Sequence, residues 1–199
     1  MPSSVIRHGQ GLVRPVAYPT SPASYRPDDV IISGYSLCAS GVELGALTTA
    51  SATYNSATYP ATNRALGFMF TLADYYLVRK VWWMNGTTAT TDSADVAVYT
   101  EDGATRLVAA GSTAIATASV VQEVDVTDTL LAPGRYWCVY NQNGVTATPV
   151  MTAHSAAVAR AAGWAQFAGA VPLGTTFTPA GVAAANLPLF GIASRTQVA

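Results

Sequence analysis

The residues best suited to chemistry are few and widely separated in this sequence. The chain of 199 residues has only two histidines, His8 and His154, and both lie far from each other. A Ser-His-Asp or Cys-His arrangement would have to use one of them, and no G-x-S-x-G nucleophile pattern occurs. Glycine-rich phosphate loops and dinucleotide fingerprints are absent as well. The sequence therefore predicts no catalytic residue, no cofactor and no enzymatic activity.

The acidic residues form three close pairs that merit comparison with paired carboxylates in glycosidases, which stand about 5 to 10 Å apart. The pairs are Asp92 with Asp95, Glu101 with Asp102, and Glu123 with Asp125. A calcium site at the first pair would need four or more further oxygen ligands, which no spaced loop supplies. Asp102-Gly103 suits a turn, and the third pair would share an exposed strand face with Val121. Solvated loop and strand positions are favoured, and no metal site is predicted.

Two further motifs have ordinary structural explanations. Cys38 and Cys138 lack metal-ligand spacing and are too few for a disulfide framework, so two buried free thiols are expected. A bridge between them would require the two segments to meet in the fold. Asn85-Gly86-Thr87 matches a glycosylation acceptor, but Asn-Gly at the end of an apolar run favours a turn.

The composition sets the class of protein. Half of the residues are hydrophobic and only 11 % are charged, against a typical value of about 25 %. A folded monomer of this size exposes roughly 9,000 Å², which gives about one charge per 400 Å². Either neighbouring subunits cover much of such a surface in an assembly, or uncharged polar side chains keep it hydrated. The formal net charge of −1 gives no reason to bind nucleic acid or an anionic membrane.

The chain divides into two parts at about residue 60. Residues 1–60 contain six prolines and five tyrosines among small polar residues, which predicts an extended N-terminal arm that docks on another surface. No apolar run of about 18 residues occurs, and no signal-peptide core precedes the arm. Residues 61–199 are predicted to form one domain.

Period-2 patterns and turn residues predict short strands in the second part. The predicted strands cover 66–72, 76–84, 95–100, 120–126 and 135–141, with a last strand after Pro188. Residues 153–170 fit either a short helix or a strand and loop. The fold class predicted is all-β, an antiparallel β-sandwich or jelly roll preceded by the extended arm.

Aromatic residues are the candidates for contact with other molecules. Adjacent residues of a strand point to opposite faces, so strict alternation places Val81 and Trp83 on one side and Val78, Trp82 and Met84 on the other. One tryptophan is then expected in the core, and the other is expected to be covered by the arm, by another strand or by another subunit. The candidate interface residues are Tyr18, Tyr25, Tyr35, Trp82, Trp83 and Trp137. Sugar stacking on Trp137 is a further alternative.

Three stretches carry a resemblance to a known group of proteins. The stretches "YPATNRALGFMFTL", "DVAVYTEDGATRLV" and "VDVTDTLLAPGRYW" resemble virion proteins of tailed bacteriophages over roughly residues 59–146, with a weaker match at 191–195. The resemblance implies a β-sandwich in the virion, assembled in the host bacterial cytoplasm. It implies a capsid decoration (cement) protein that binds the major capsid protein or other virion proteins, with a homotrimer favoured. The alternative is a tail, fibre or receptor-binding component that recognises a host glycan.

Overall fold

A computed structural model describes residues 31–33, 53–153, 163–178 and 186–194, and for 31–33, 53–54 and 152–153 it describes the backbone alone. These residues contain strands and no helix. The thirteen strands are β1 Ile31–Ser33, β2 Thr53–Ser56, β3 Arg64–Leu72, β4 Tyr76–Met84, β5 Ser93–Thr100, β6 Arg106–Ala109, β7 Thr113–Ala114, β8 Val121–Leu131, β9 Gly134–Gln142, β10 Val150–Ala153, β11 Trp164–Ala168, β12 Asn186–Pro188 and β13 Phe190–Ala193.

The strands form three antiparallel sheets. The largest has the order β11-β3-β9-β5-β6, with β7 also paired to β5. The second has the order β1-β13-β4-β8, and the third, shorter sheet has the order β12-β10-β2. The predicted all-β antiparallel sandwich is confirmed. The ambiguous stretch 153–170 contains strand β11, while residues 154–162 lie outside the described part.

One apolar core fills the space between the six-stranded and four-stranded sheets. β3 and β5 supply alternate residues, such as Phe68 and Val96, which are fully buried. β4 and β13 face them with Trp83 and Phe190. Rings of Trp83 and Tyr140 meet edge to face at 6.3 Å between centroids, a geometry that aromatic pairs favour.

A register shift between β4 and β8 changes which side chains of β4 face this core. Val78 pairs with Thr129, whereas Lys80 pairs with Asp125, so three residues of β8 stand opposite Arg79. Such a bulge reverses the in-out alternation beyond it. Val78 therefore lies in the core together with Val81 and Trp83, and the alternation that placed Val78 on the side of Trp82 is wrong.

The packed β-structure begins before residue 61. β1 pairs with β13, and β2 pairs with β10. Tyr59 is 1 % exposed and its hydroxyl donates a hydrogen bond to the carbonyl of Arg64. Residues 31–33 and 53–60 thus belong to the sheets and core, while the remaining residues of the predicted arm lie outside the described part.

The adjacent tryptophans allow a matched test of this packing. Trp83 is fully buried and its Nε1 has no hydrogen-bond partner in the described part of the chain, so its contribution is packing. We expect Trp83→Ala to lower the free energy of unfolding by about 3–5 kcal/mol, as large-to-small core changes do. Trp82→Ala, one residue away, should cost about 1 kcal/mol.

Denaturant unfolding of both variants provides the measurement. If Trp83→Ala is too unstable to purify, Trp83→Phe replaces it and should fall between the two. Equal losses from the two alanine variants would contradict the assignment of Trp83 to the core.

Candidate binding surface

Asp95 is an acidic residue within an apolar strand, and backbone N–H groups of two loops donate hydrogen bonds to its carboxylate. Its side chain is inaccessible to solvent. Oδ1 accepts a hydrogen bond from Gly111 N at 2.9 Å and Oδ2 accepts one from Leu173 N at 2.8 Å. Burial raises the pKa of Asp95, because desolvation outweighs these hydrogen bonds and nearby Arg106. Asp95 therefore fixes loops, and both of its oxygens are already engaged.

Asp92 has the same role at one end of the sandwich. Its Oδ2 accepts hydrogen bonds from Thr146 N at 3.1 Å and Ala147 N at 2.8 Å. Gln142, fully buried, donates through Nε2 to the carbonyl of Ala147 at 2.8 Å. Asp92 and Asp95 thus hold separate loops. Within the described ranges, no group of three or more His, Cys, Asp or Glu residues is arranged to hold a metal ion.

The second acidic pair occupies the predicted turn. Gly103 has a φ of 72°, which glycine adopts without strain. Asp102 Oδ1 accepts hydrogen bonds from Thr100 Oγ1 at 2.6 Å and Ala104 N at 3.0 Å, and these bonds lower the pKa of Asp102. Glu101 forms an exposed ion pair with Arg135 at 2.6 Å.

The third acidic pair differs from its prediction. Glu123 and Asp125 were expected to be exposed together, but the Glu123 side chain is 3 % exposed and that of Asp125 is 84 % exposed. Lys80 Nζ lies 2.7 Å from Asp125 Oδ1 and 3.8 Å from Glu123 Oε2. The shared cation explains why the sheet tolerates the two carboxylates side by side, because opposite charge offsets the desolvation of Glu123.

The remaining motif residues are occupied or lie elsewhere. Asn85 is 1 % exposed, and its Nδ2 donates to Thr117 O at 2.7 Å and Gln122 Oε1 at 2.9 Å, so this amide cannot serve as a glycan acceptor in the folded chain. Cys138 is a buried free thiol whose pKa is raised by desolvation. His8, Cys38 and His154 lie outside the described residues.

The structure separates the six interface candidates. Tyr18, Tyr25 and Tyr35 lie outside the described residues. Trp83 is in the core, and Trp137 is only 6 % exposed on the outer face of the six-stranded sheet. Trp137 Nε1 donates to the carbonyl of Glu101 at 2.9 Å, and the rings of Phe167 and Phe177 pack edge to face against it. Among the three tryptophans, Trp82 alone offers surface to another molecule.

Trp82 belongs to a short apolar strip on the outer face of the four-stranded sheet. Met84 lies two residues further along β4 on the same face, and Val121 is its direct partner on β8. Trp82 and Met84 are half-buried, and Val121 is 50 % exposed. Gly191, beside Trp82 on β13, contributes no side chain to cover the indole. We call Trp82, Met84 and Val121 the apolar strip. Met84 and Val121 were not among the interface candidates, although strict alternation already placed Met84 on the face of Trp82.

A loop of residues 169–178 covers the outer face of the six-stranded sheet. Arg106 N donates to Thr175 O at 2.9 Å, and Tyr99 hydroxyl donates to Gly174 O at 2.7 Å. Leu173 and Phe177 pack onto the sheet beside Trp137. A cavity of about 250 Å³ remains between the loop and the sheet.

The hydrogen bond between Tyr99 and this loop makes the folding stability of the domain depend on pH in the alkaline range. Burial raises the pKa of Tyr99 to about 12, with Arg106 opposing and Asp95 adding to the shift. Between the ordinary value of 10 and about 12, the native state keeps a proton that the unfolded chain has lost. The contribution of Tyr99 is therefore complete below that window and is lost as the pH rises through it.

Tyr99→Phe tests this contribution. Near neutral pH the variant should unfold about 1 kcal/mol more easily, because the bond to Gly174 O is absent. Across the alkaline window the original chain should lose at most about 3 kcal/mol, so its advantage should vanish and then reverse. Denaturant unfolding at a series of pH values measures both effects, and an advantage that stays constant through the window would refute the assignment.

Neither a protein-family model nor a curated protein matches this sequence. The interpretation of this surface therefore depends on the contacts and exposure of its own residues. Within the described ranges, Asp92 and Asp95 are engaged by backbone donors, while the apolar strip is open. The arrangement favours binding through a sheet face.

Proposed function

We propose that this chain is a non-enzymatic structural protein of a tailed-phage virion, and that it is a capsid decoration (cement) protein. The resemblance of residues 59–146 to virion proteins suggests the class, and the confirmed sandwich is the domain type which that resemblance implies. The observation that carries a binding role is the apolar strip, where Trp82 and Met84 are partly exposed beside the exposed Val121 on one sheet face.

Its size indicates how the strip would act. A stable interface between proteins removes about 800 Å² from each partner, whereas one large aromatic side chain supplies 150–250 Å² at most, to order of magnitude. Three side chains that are already half-buried therefore anchor a contact without completing it. Further area has to come from another part of the chain or from neighbouring copies, which is consistent with a homo-oligomer such as a trimer.

The N-terminal part is suited to provide that area. β1 pairs with β13 at one edge of the sheet that carries the apolar strip, and β8 forms the other edge. Residues 1–30 directly precede β1 in the sequence. Their prolines and tyrosines fit extended docking on the major capsid protein or another virion protein. The small number of charges limits the desolvation that such contacts cost.

The second candidate is a tail, fibre or receptor-binding component. The exposed part of the Trp82 indole favours it, because an aromatic face can stack on a sugar ring. Trp137 does not serve this purpose, because Phe167 and Phe177 pack against it. A glycan array probed with the full chain, and imaging of particles that carry a labelled copy, distinguish the two: label on heads supports decoration, and label on tails with glycan binding supports the alternative.

Matched valine substitutions test the apolar strip. Val121 and Val145 are 50 % and 40 % exposed, but only Val121 belongs to the strip. We expect Val121→Ser, added to particles that lack the protein, to bind about tenfold more weakly, as the loss of ~1.4 kcal/mol of contact free energy implies. Val145→Ser should bind as the original does. Equal binding by all three proteins would remove the strip from the proposal.

Deletion of residues 1–30 tests the arm. The cut leaves β1 in place, so the four-stranded sheet is retained. The shortened protein should unfold at nearly the same denaturant concentration as the full chain but should no longer coat particles. Full occupancy by a folded, shortened protein would show that the arm does not anchor it.

A further inference from the structure

We propose that Asn143-Gly144 is a site of spontaneous deamidation, at which the native fold promotes conversion of Asn143 to aspartate and isoaspartate. Asn143 follows directly after β9 and is exposed. The inference is independent of the proposed function, because it concerns the chemistry of one loop.

The reaction needs only the chain and water. The Gly144 nitrogen attacks Cγ of Asn143, a bond forms between them, and the bond from Cγ to Nδ2 breaks. The Gly144 nitrogen loses its proton and Nδ2 leaves as ammonia, which produces a five-membered succinimide. Water then adds to one of the two succinimide carbonyls and opens the ring to aspartate or isoaspartate. A glycine after the asparagine favours ring closure because it has no side chain.

The loop holds the electrophile in place. Asn143 N donates to Ser93 O at 3.0 Å, and Ser93 N donates to Asn143 Oδ1 at 2.8 Å. The second bond points at the oxygen that gains negative charge when Cγ is attacked. A fixed donor at such a position stabilises the developing oxyanion. The same two hydrogen bonds fix the position of Cγ relative to the main chain.

A carboxylate lies against the nucleophilic residue. A Cβ placed on Gly144 would lie 2.2 Å from Asp92 Oδ1, so only glycine fits beside Asp92. Asp92 Oδ2 is engaged by Thr146 N and Ala147 N, which orients the carboxylate. In the described part of the chain, no acceptor binds the Gly144 N–H. We assign Asp92 as the group that accepts the Gly144 proton.

The chain contains a matched comparison at Asn85-Gly86. Asn85 is 1 % exposed, and its Nδ2 is held by Thr117 O and Gln122 Oε1. Gly86 N donates to Thr148 O at 2.6 Å, so it is not available as a nucleophile. The two sites have the same dipeptide but opposite environments, which makes Asn85 the internal control for Asn143.

Isoaspartate at residue 143 would alter the loop. It adds a methylene to the main chain between β9 and Gly144, where Gln142 Nε2 now donates to Gly144 O at 3.1 Å. The paired bonds to Ser93 cannot both survive that insertion. The loop that presents Val145 would loosen, and old and new protein would differ at this end of the sandwich.

Peptide mapping by mass spectrometry tests the proposal on the full chain held at mildly alkaline pH. Trypsin separates the two sites, because Asn85 lies between Lys80 and Arg106 and Asn143 lies between Arg135 and Arg160. We expect native Asn143 to convert at least about tenfold faster than native Asn85, a barrier difference of ~1.4 kcal/mol. In denaturant the ratio should fall close to one, because Asn85 accelerates and Asn143 slows once the fold no longer holds it. A native Asn143 that converts no faster than Asn85, or a ratio unchanged by denaturant, overturns the proposal.

Two variants test the parts of the site. Asn143→Gln keeps an amide but would require a larger ring, so conversion at residue 143 should become undetectable on the same time scale. Asp92→Asn should slow conversion of Asn143 severalfold while Asn85 stays slow, which reports that the fold is intact. An unchanged rate at Asn143 in a folded Asp92→Asn protein overturns the role of Asp92. If this variant unfolds, the conversion of Asn85 also accelerates, and Asp92→Glu then replaces it. Glutamate displaces the carboxylate, so the conversion rate of Asn143 should change. An unchanged rate counts against the role of Asp92.

Discussion

The mismatch between β4 and β8 at Arg79 decides which side chains the molecule buries and which it presents. Three residues of β8 face one residue of β4 there, because the strand pairing shifts between Val78 and Lys80. The shift allows Val78 and Trp83 to enter the same core, although they lie five positions apart on the strand and strict alternation would place them on opposite faces. It also directs Trp82 outward. The aromatic core and the apolar strip are therefore two results of one irregularity in hydrogen bonding.

Buried polar side chains act mainly on loops. Asp95 ties two loops to the outer face of the six-stranded sheet, and Asp92 with Gln142 holds the loop after β9. Each of these side chains forms hydrogen bonds with backbone N–H or C=O groups that are not paired between strands. Backbone polar groups that are buried away from water require such partners. Charges placed inside the domain thereby specify the positions of connections, while the apolar residues hold the sheets together.

Local sequence patterns were sufficient for several of the longer strands and for one of the turns. The limits of β4 and the turn at Asp102-Gly103 follow from period-2 patterning and glycine chemistry, both of which act over a few neighbouring residues. Contacts over long sequence distances were not accessible. The burial of Glu123 depends on Lys80 on the neighbouring strand, and the cover over Trp137 comes from Phe177, 40 positions further along the chain. Such contacts depend on which distant strands pair and on where a loop returns to the sheet, and the period-2 pattern within one strand does not specify either.

The ion pair on the outer face shields the single lysine of the chain from reagents. Lys80 is the single lysine of the chain, and it is 5 % exposed with its ammonium against Asp125. The thiol of Cys138 is buried as well. Reagents that couple to side-chain amines therefore find no accessible target on the sandwich, and cross-linkers of that class will understate its contacts. Asp125 and Asp128 have exposed side chains, so reagents that couple to carboxylates can label this surface.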